Sequence, residues 1–365
     1  LMNNKMKTLI EGALLRQVRK DSKIKSAYLL VESEKLGLHL QTAAGVSDDM
    51  PAKPEQPNYM ASVGKIFTST LTGILSDQGK LSFDDSIIKY LDEELVNKLH
   101  VYKDTDYTAE IKIKHLLNHS SGLYDYFWPL LDKLIDDPSI EITPQEAIIW
   151  GKNNLQPYFS PGNGFHYTDT NYHLLGLIIE NITKLPFHEA LSHYIFKPND
   201  MKHSSMLHYS EPMEDSGYPI SSFYYRGHRL NDLKGYAGLD FAGGGVVAPN
   251  EDLLRFMKGL TRGRIIKKET LEIMMHDKAK YGTGIDYGYG IMQFKPVFLL
   301  MPKSFRSWGH PGATGSFMFY HPEKDAYIIG TFNDFSYEKK GVRFMLMKVI
   351  NNLYKSHRKS EKVLT

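Results

Sequence analysis

The chain has no cysteine at any of its 365 positions. Disulfide scaffolds, thiolate metal sites, iron–sulfur clusters and cysteine nucleophiles are therefore excluded together. It also lacks an excess of charge of one sign. Its 44 basic side chains stand against 42 acidic ones, a formal net charge of +2. So near-neutral a balance leaves no broad electrostatic footprint for nucleic acid, and such a partner is not expected. No apolar run approaches the ~18 residues of a membrane-spanning helix, so no membrane span is expected either. The opening residues, Leu1-Met2-Asn3-Asn4-Lys5, are not followed by the apolar segment of a signal peptide. The cytoplasm is the compartment expected from these residues; export stays open, because a chain starting at Leu1 can have been trimmed of a leader. Some motifs are missing too. There is no G-x-S-x-G. Gly73 to Gly79-Lys80 is one residue too long for a phosphate loop, and Leu81 stands where Ser or Thr is needed. The glycines at 282, 284, 288 and 290 read as turns, not as a dinucleotide fingerprint.

What remains is an ordinary globular composition, 42% apolar and 24% charged, long enough for one large domain or two packed ones. Both ends read as helix plus strands. Met6, Leu9, Ile10, Leu14 and Val18 recur at helical spacing within residues 5–19. Ser26–Val31 and Leu36–Thr42 read as a hairpin about Glu34 and Lys35, and Ser316–Tyr320 and Ala326–Phe332 as another about Pro322–Asp325. A closing helix carries Phe344, Leu346, Met347, Ile350 and Leu353 on one side. Between the ends, helical patterns fall at 62–78, 111–118, 144–153, 170–182 and 187–194. Residues 203–240 show little periodicity but are rich in aromatics (Tyr209, Tyr218, Phe223, Tyr224, Tyr225, Tyr236). Such a long loop either lines a pocket or is a covered surface excursion.

The spacing Ser-x-x-Lys occurs five times, at Ser22/Lys25, Ser62/Lys65, Ser86/Lys89, Ser336/Lys339 and Ser356/Lys359. Spacing alone therefore decides nothing. Only Ser62 opens a strongly apolar helix, running to Leu75. On a helix, residues three apart are neighbours, so the Lys65 amine can lie against the Ser62 hydroxyl. Apolar burial disfavours an ammonium, which makes a lysine there a usable base. The helix start adds free N–H groups and a positive dipole end, suited to an oxyanion. The plain alternative for Ser62 is an N-cap. His115 and His119 stand four apart and could share a helix face as metal ligands, but no Glu follows His115, and structural roles fit them better.

Met60-Ala61-Ser62-Val63-Gly64-Lys65-Ile66-Phe67-Thr68 resembles the first motif of the penicillin-recognising serine hydrolases, in particular their class C β-lactamase, D,D-peptidase and esterase branch. Other blocks follow in the same order. They are Gly79–Asp85, Ile113–Leu123 with its His-x-Ser-Gly-Leu stretch, Phe159–Gly162 with Tyr167–Tyr172, Gly243–Leu253 and Trp308–Gly315. The resemblance covers roughly residues 58–335. It implies an acyl-enzyme mechanism with Ser62 as nucleophile, Lys65 as base and Tyr167 as proton relay. The oxyanion would lie between the backbone N–H groups of Ser62 and Ala313, and no metal or cofactor is implied. Asp169, His310 and Gly312 would meet the substrate.

Two positions depart from the β-lactamase pattern. Asp169 replaces the amide of Tyr-x-Asn, and a carboxylate only accepts hydrogen bonds and brings charge. It would either bind Lys65 or attract a substrate amine. His310 replaces a lysine, so the site lacks a permanent cation for a substrate carboxylate. Pro311-Gly312 suggests a strand edge left bare for close approach. The expected function is a serine hydrolase acting on a small ester or a D-amino-acid-containing amide. The alternatives are a D,D-carboxypeptidase or weak β-lactamase, and a penicillin-binding sensor without turnover; a small ester, peptide or β-lactam is the expected partner, with oligomeric state open. The expected fold is α+β. Residues 1–60 and 241–365 would form an antiparallel sheet flanked by the terminal helices, and 61–240 a mainly helical region.

Overall fold

Ser26–Ser33 is buried along almost its whole length, which is what a strand with neighbours on both sides and helices on both faces requires. Its side chains divide with a period of two. Leu30 joins Met318, Tyr327 and Ile329 in one apolar core, while Ala27, Leu29 and Val31 join Phe317, Phe319 and Ile328 in another. The chain is described here by a computed structural model over residues 2–355; the Ser356/Lys359 pair lies outside the described residues.

This strand belongs to a nine-stranded antiparallel sheet. From edge to edge the strands are Ala279–Gly282, Ile285–Tyr287, Met292–Phe294, Ser307–Pro311, Phe317–His321, Ala326–Thr331, Ser26–Ser33, Leu38–Ser47 and Met50–Pro51. Leu30 pairs with Ile329 on one side and Gln41 on the other. The two hairpins read from the ends are thus zipped together, and the fold is α+β. On one face, Met6, Ile10, Ala13 and Leu14 of the Met2–Lys20 helix pack with Phe344, Met345, Val349, Ile350 and Leu353 of the last helical segment. On the other, the Asn250–Thr261 helix lies between the sheet and the Gly64–Asp77 helix, with Phe256 stacked on Phe67 at 4.0 Å between ring centroids.

Helices occupy each of the five segments where the periodicity places them, although that at 187–194 is α-helical only over Phe187–Leu191 before widening to a π-turn. Three longer ones are not anticipated by the sequence reading. Phe127–Asp136 carries Pro129 in its first turn, where a missing N–H costs nothing but breaks the apparent pattern. Asn250–Thr261 and Lys268–His276 lie within 241–365, the stretch assigned from sequence to the sheet and its flanking terminal helix. The 203–240 stretch is not wholly loop either: Gly235–Asp240 forms a helix too short to show a period.

The Gly64–Asp77 helix sits where it does because its first residue has no side chain. A Cβ on Gly64 would lie 1.8 Å from the Gly244 carbonyl oxygen. Gly64→Ala is therefore expected to push the helix off the glycine turn and to destabilise the fold by about 1–3 kcal/mol. Urea unfolding checks this through a lowered midpoint at unchanged slope.

Candidate active site

Ser62 lies inside a short 3-10 turn, Ala61–Val63, that leads into the Gly64–Asp77 helix. Its hydroxyl caps neither element, so the N-cap alternative does not hold. Ala61 has φ +50°, a left-handed conformation that costs a non-glycine residue about 1–2 kcal/mol. Neighbouring bonds hold it there. Met60 donates its N–H to the Val246 carbonyl at 3.1 Å and accepts at its own carbonyl from the Ser316 hydroxyl at 2.7 Å.

The turn places Ser62 at a cavity of about 350 Å3 lined also by Asp125, Tyr167, Asp169, Tyr236, Asp240, His310, Gly312 and Ala313. Lys65, fully buried, points its amine at three acceptors: Ser62 Oγ at 3.2 Å, the Gly243 carbonyl at 2.8 Å and the Asp169 carboxylate. Of the two roles open to Asp169 from sequence, contact with Lys65 is present. Asp169 is the first residue of the Asp169–Thr183 helix, whose positive end favours a carboxylate. The Lys65 amine also lies 5.0 Å above the Tyr167 ring. Burial, reinforced by the Asp169 charge and only partly offset by Ser62, holds the Tyr167 phenol well above its ordinary pKa. It is a neutral proton donor, not a resting phenolate.

Both nitrogens of His310 are engaged. One bonds the Pro311 carbonyl at 2.5 Å, so it carries the hydrogen, and the other accepts from the Tyr287 hydroxyl at 2.7 Å. Burial and the Lys65 charge lower its pKa to about 3, so it brings no cation to the cavity. A Cβ on Gly312 would meet Ser316 Oγ at 2.1 Å and the Met60 carbonyl at 2.7 Å. That space is taken by the serine turn, so the glycine is required by protein packing as much as by any substrate. The Ser62 and Ala313 amides have no acceptor among the described residues.

Ser62, Lys65, Tyr167, Asp169, His310, Gly312 and Ala313 are thus brought to one place. His115 and His119 do not share a helix face, because the helix ends at Leu117. His115 accepts the Lys112 N–H at 3.1 Å, while His119, beyond the helix end at φ +59°, accepts from the Thr168 amide at 3.2 Å and from Asn171. Its ring packs 4.3 Å from that of Tyr167, which it steadies.

Three carboxyls at the cavity are absent from the sequence reading: the exposed Glu338, and Asp125 and Asp240, whose environment is the more telling. Burial first, and then the Asp169 charge, raises Asp125 to about 7. Asp240 is likewise raised to about 7, chiefly by burial, although it accepts from the Gly245 N–H at 2.5 Å and from the Tyr59 hydroxyl at 2.8 Å. The signals that could have found them are positional. Asp125 follows the Ser-Gly-Leu stretch by two residues, and Asp240 comes just before the three glycines that wrap Lys65.

The family model described as Beta-lactamase matches residues 12–351. Penicillin-binding protein 4* of Bacillus subtilis (strain 168) is 26% identical over 266 residues, 69% of this chain and 56% of its own, so the chain spans little more than half of that relative. Among solved structures, D-amino acid amidase from Ochrobactrum anthropi SV3 superposes with a TM-score of 0.76 at 21% identity, covering 98% of this chain and 99% of its own. EstCE1, described as a hydrolase with promiscuous acyltransferase activity, gives a TM-score of 0.76 at 18% identity, covering 96% and 99%.

The raised carboxyls have a consequence for stability. Between about pH 4 and 7 the unfolded chain has released the Asp240 proton while the folded chain keeps it, so stability falls as pH rises through that window and levels off above it. Asp240→Asn removes this titration and leaves that of Asp125. Urea midpoints taken across the window should fall less steeply with pH for the variant than for the parent; parallel profiles would contradict the assignment.

Proposed function

Because the chain belongs to the β-lactamase family, we propose that it is a serine hydrolase working through an acyl-enzyme on a small ester or a D-amino-acid-containing amide. The observation that carries this is the Ser62 hydroxyl 3.2 Å from the buried Lys65 amine at the floor of a cavity.

Ser62 Oγ attacks the substrate carbonyl. Its proton passes to Lys65, which hands one of its own to Asp169. The developing oxyanion lies between the amides of Ser62 and Ala313, a stabilisation that loses on the order of 3 kcal/mol when one donor is removed. Tyr167, a neutral phenol, delivers its proton to the leaving amine or alkoxide and recovers one from the Lys65–Asp169 pair. Water then attacks the Ser62 ester by the same route in reverse, releasing the acid and restoring the hydroxyl.

Charge narrows the substrate class. Asp125, Asp169, Asp240 and Glu338 all line the cavity; the basic residue lining it is Lys339, and Lys65 beneath is paired. Such a cavity favours an ammonium and opposes the carboxylate that β-lactams and D,D-peptide termini carry. The likeness to a D-amino acid amidase supports a D-amino acid amide as substrate, and that to EstCE1, a hydrolase with promiscuous acyltransferase activity, supports acyl transfer more broadly.

Ser62→Ala is expected to abolish turnover and labelling by a serine-directed phosphonate. Retained labelling of the variant sinks the nucleophile assignment, and rapid turnover of a chromogenic cephalosporin would favour the β-lactamase reading instead. Asp125→Asn tests the charge argument separately. It is expected to raise KM for D-phenylalanine amide about 10- to 100-fold while leaving that for the neutral ester p-nitrophenyl acetate nearly unchanged. Equal effects on both would remove the ammonium from the scheme.

A further inference from the structure

The most exposed large apolar side chains of the described residues are consecutive. Phe298, Leu299 and Leu300 are 89%, 90% and 72% exposed. They form the tip of a turn in the connection between the Met292–Phe294 and Ser307–Pro311 strands, the third and fourth from the edge of the sheet. The turn is built, not frayed. Val297 and Met301 exchange N–H to carbonyl bonds at 2.9 Å in both directions, and Leu300 donates to the Val297 carbonyl at 3.1 Å. Leu299 stands at its apex with φ +61°. A left-handed apex is an ordinary place for glycine or asparagine and a strained one for leucine. Turn geometry and solubility would both select against this residue, so its presence answers another need.

The surrounding charge shows which need. Between Asp286 and Glu323 the sequence contains no acidic residue, while Lys295, Lys303 and Arg306 flank the tip. Asp286 is itself occupied by Lys278 and Lys295. Lys303 and Arg306, and Lys280 on the edge strand, are exposed and make no ion pair among the described residues. Three bare apolar side chains followed within six residues by two exposed, unpaired cations, Lys303 and Arg306, match the chemistry of an interface between acyl chains and anionic headgroups. A protein partner or a second copy with an apolar face would not call for the cations.

We propose that residues 297–301 are a membrane-docking tip that seats in the headgroup region of a bilayer carrying anionic phospholipid. The consequence for the cavity is direct. Met292 and Phe294, from the strand that leads into the tip, form part of one of its walls, together with Ile285 and Tyr281 from the next two strands toward the edge, so docking brings that side of the cavity toward the lipid surface.

Co-sedimentation of the full chain with vesicles tests this. The parent protein is expected to partition into phosphatidylcholine vesicles containing one fifth phosphatidylglycerol, and roughly tenfold less into pure phosphatidylcholine. The triple substitution Phe298→Ser, Leu299→Gly, Leu300→Ser should reduce binding by roughly tenfold or more, with a thermal midpoint no lower than the parent's because the apex strain is relieved. Lys303→Glu with Arg306→Glu should remove the preference for phosphatidylglycerol and leave the apolar contribution. The proposal is overturned if the parent protein stays in the supernatant, or if the triple variant binds as well as the parent. It is overturned equally if light scattering finds a parent dimer that the triple substitution dissociates without any vesicle binding.

Discussion

A buried lysine sets the terms for the rest of the molecule. Lys65 has no exposed surface, and taking a charged amine out of water costs several kcal/mol unless its hydrogens are met. Here they are met by Ser62, Asp169 and the Gly243 carbonyl. Besides the turn that carries Ser62, these acceptors come from two distant segments, so satisfying one cation fixes the Gly64–Asp77 helix against both the Asp169–Thr183 helix and the glycine turn. The glycines follow from that closeness. A Cβ on Gly243 would lie 2.6 Å from Asp169 Oδ1, and one on Gly244 would lie 2.2 Å from Asp240 Oδ1. The run Gly243-Gly244-Gly245 is what allows backbone to approach the lysine where any side chain would hold it away.

The pairing also shapes what the cavity can accept. Asp169 and Lys65 cancel, and His310 is neutral, so the cavity's response to a ligand falls to Asp125 and Asp240, each raised to about 7. A cation entering the cavity draws both toward their charged form. An anion finds the exposed Lys339, whose neighbour Glu338 lines the cavity too, and the two amides at Ser62 and Ala313, which the reacting carbonyl needs for itself. An amide in place of Asp169 would leave the lysine's charge uncancelled, and the balance of the cavity would shift toward anions.

Much of this was legible in the residues, for identifiable reasons. Ser62 and Lys65 stood out from four other copies of their spacing because only they begin an apolar helix, and burial is what makes the pair chemically interesting. The spacing of Tyr167 and Asp169 also occurs at Tyr90/Asp92 and Tyr102/Asp104, and only the surrounding residues set the first pair apart. The sheet could be read from both ends because each hairpin combines apolar strands with strong turn residues. Asp125 and Asp240 were not legible: a lone aspartate looks like a surface charge until the fold buries it. The helix over Phe127–Asp136 was hidden by Pro129, and Val297–Met301 has the hydropathy of a core segment although its centre stands in solvent. Hydropathy reports what a side chain prefers, and these three residues sit where that preference is refused.

The strain beside Ser62 shows why a sheet made from both chain ends and a site in the middle belong to one design. Ala61 stays left-handed only because Met60 is gripped on two sides, by Val246 through its N–H and by Ser316 through its carbonyl. Ser316 lies in the turn between Ser307–Pro311 and Phe317–His321, and that turn also carries Ala313. The hydroxyl that holds the strained residue therefore belongs to the same short loop as the second amide. Gly312 lets this loop come within contact of Ala61. The distance between the two amides is thus set by strand pairing near the C-terminal end of the sheet, more than 250 residues along the chain from the serine it serves. Loosening the sheet there would relax Ala61 and part the amides in one motion, so local order at residue 62 cannot exceed the order of the hairpin that closes over it.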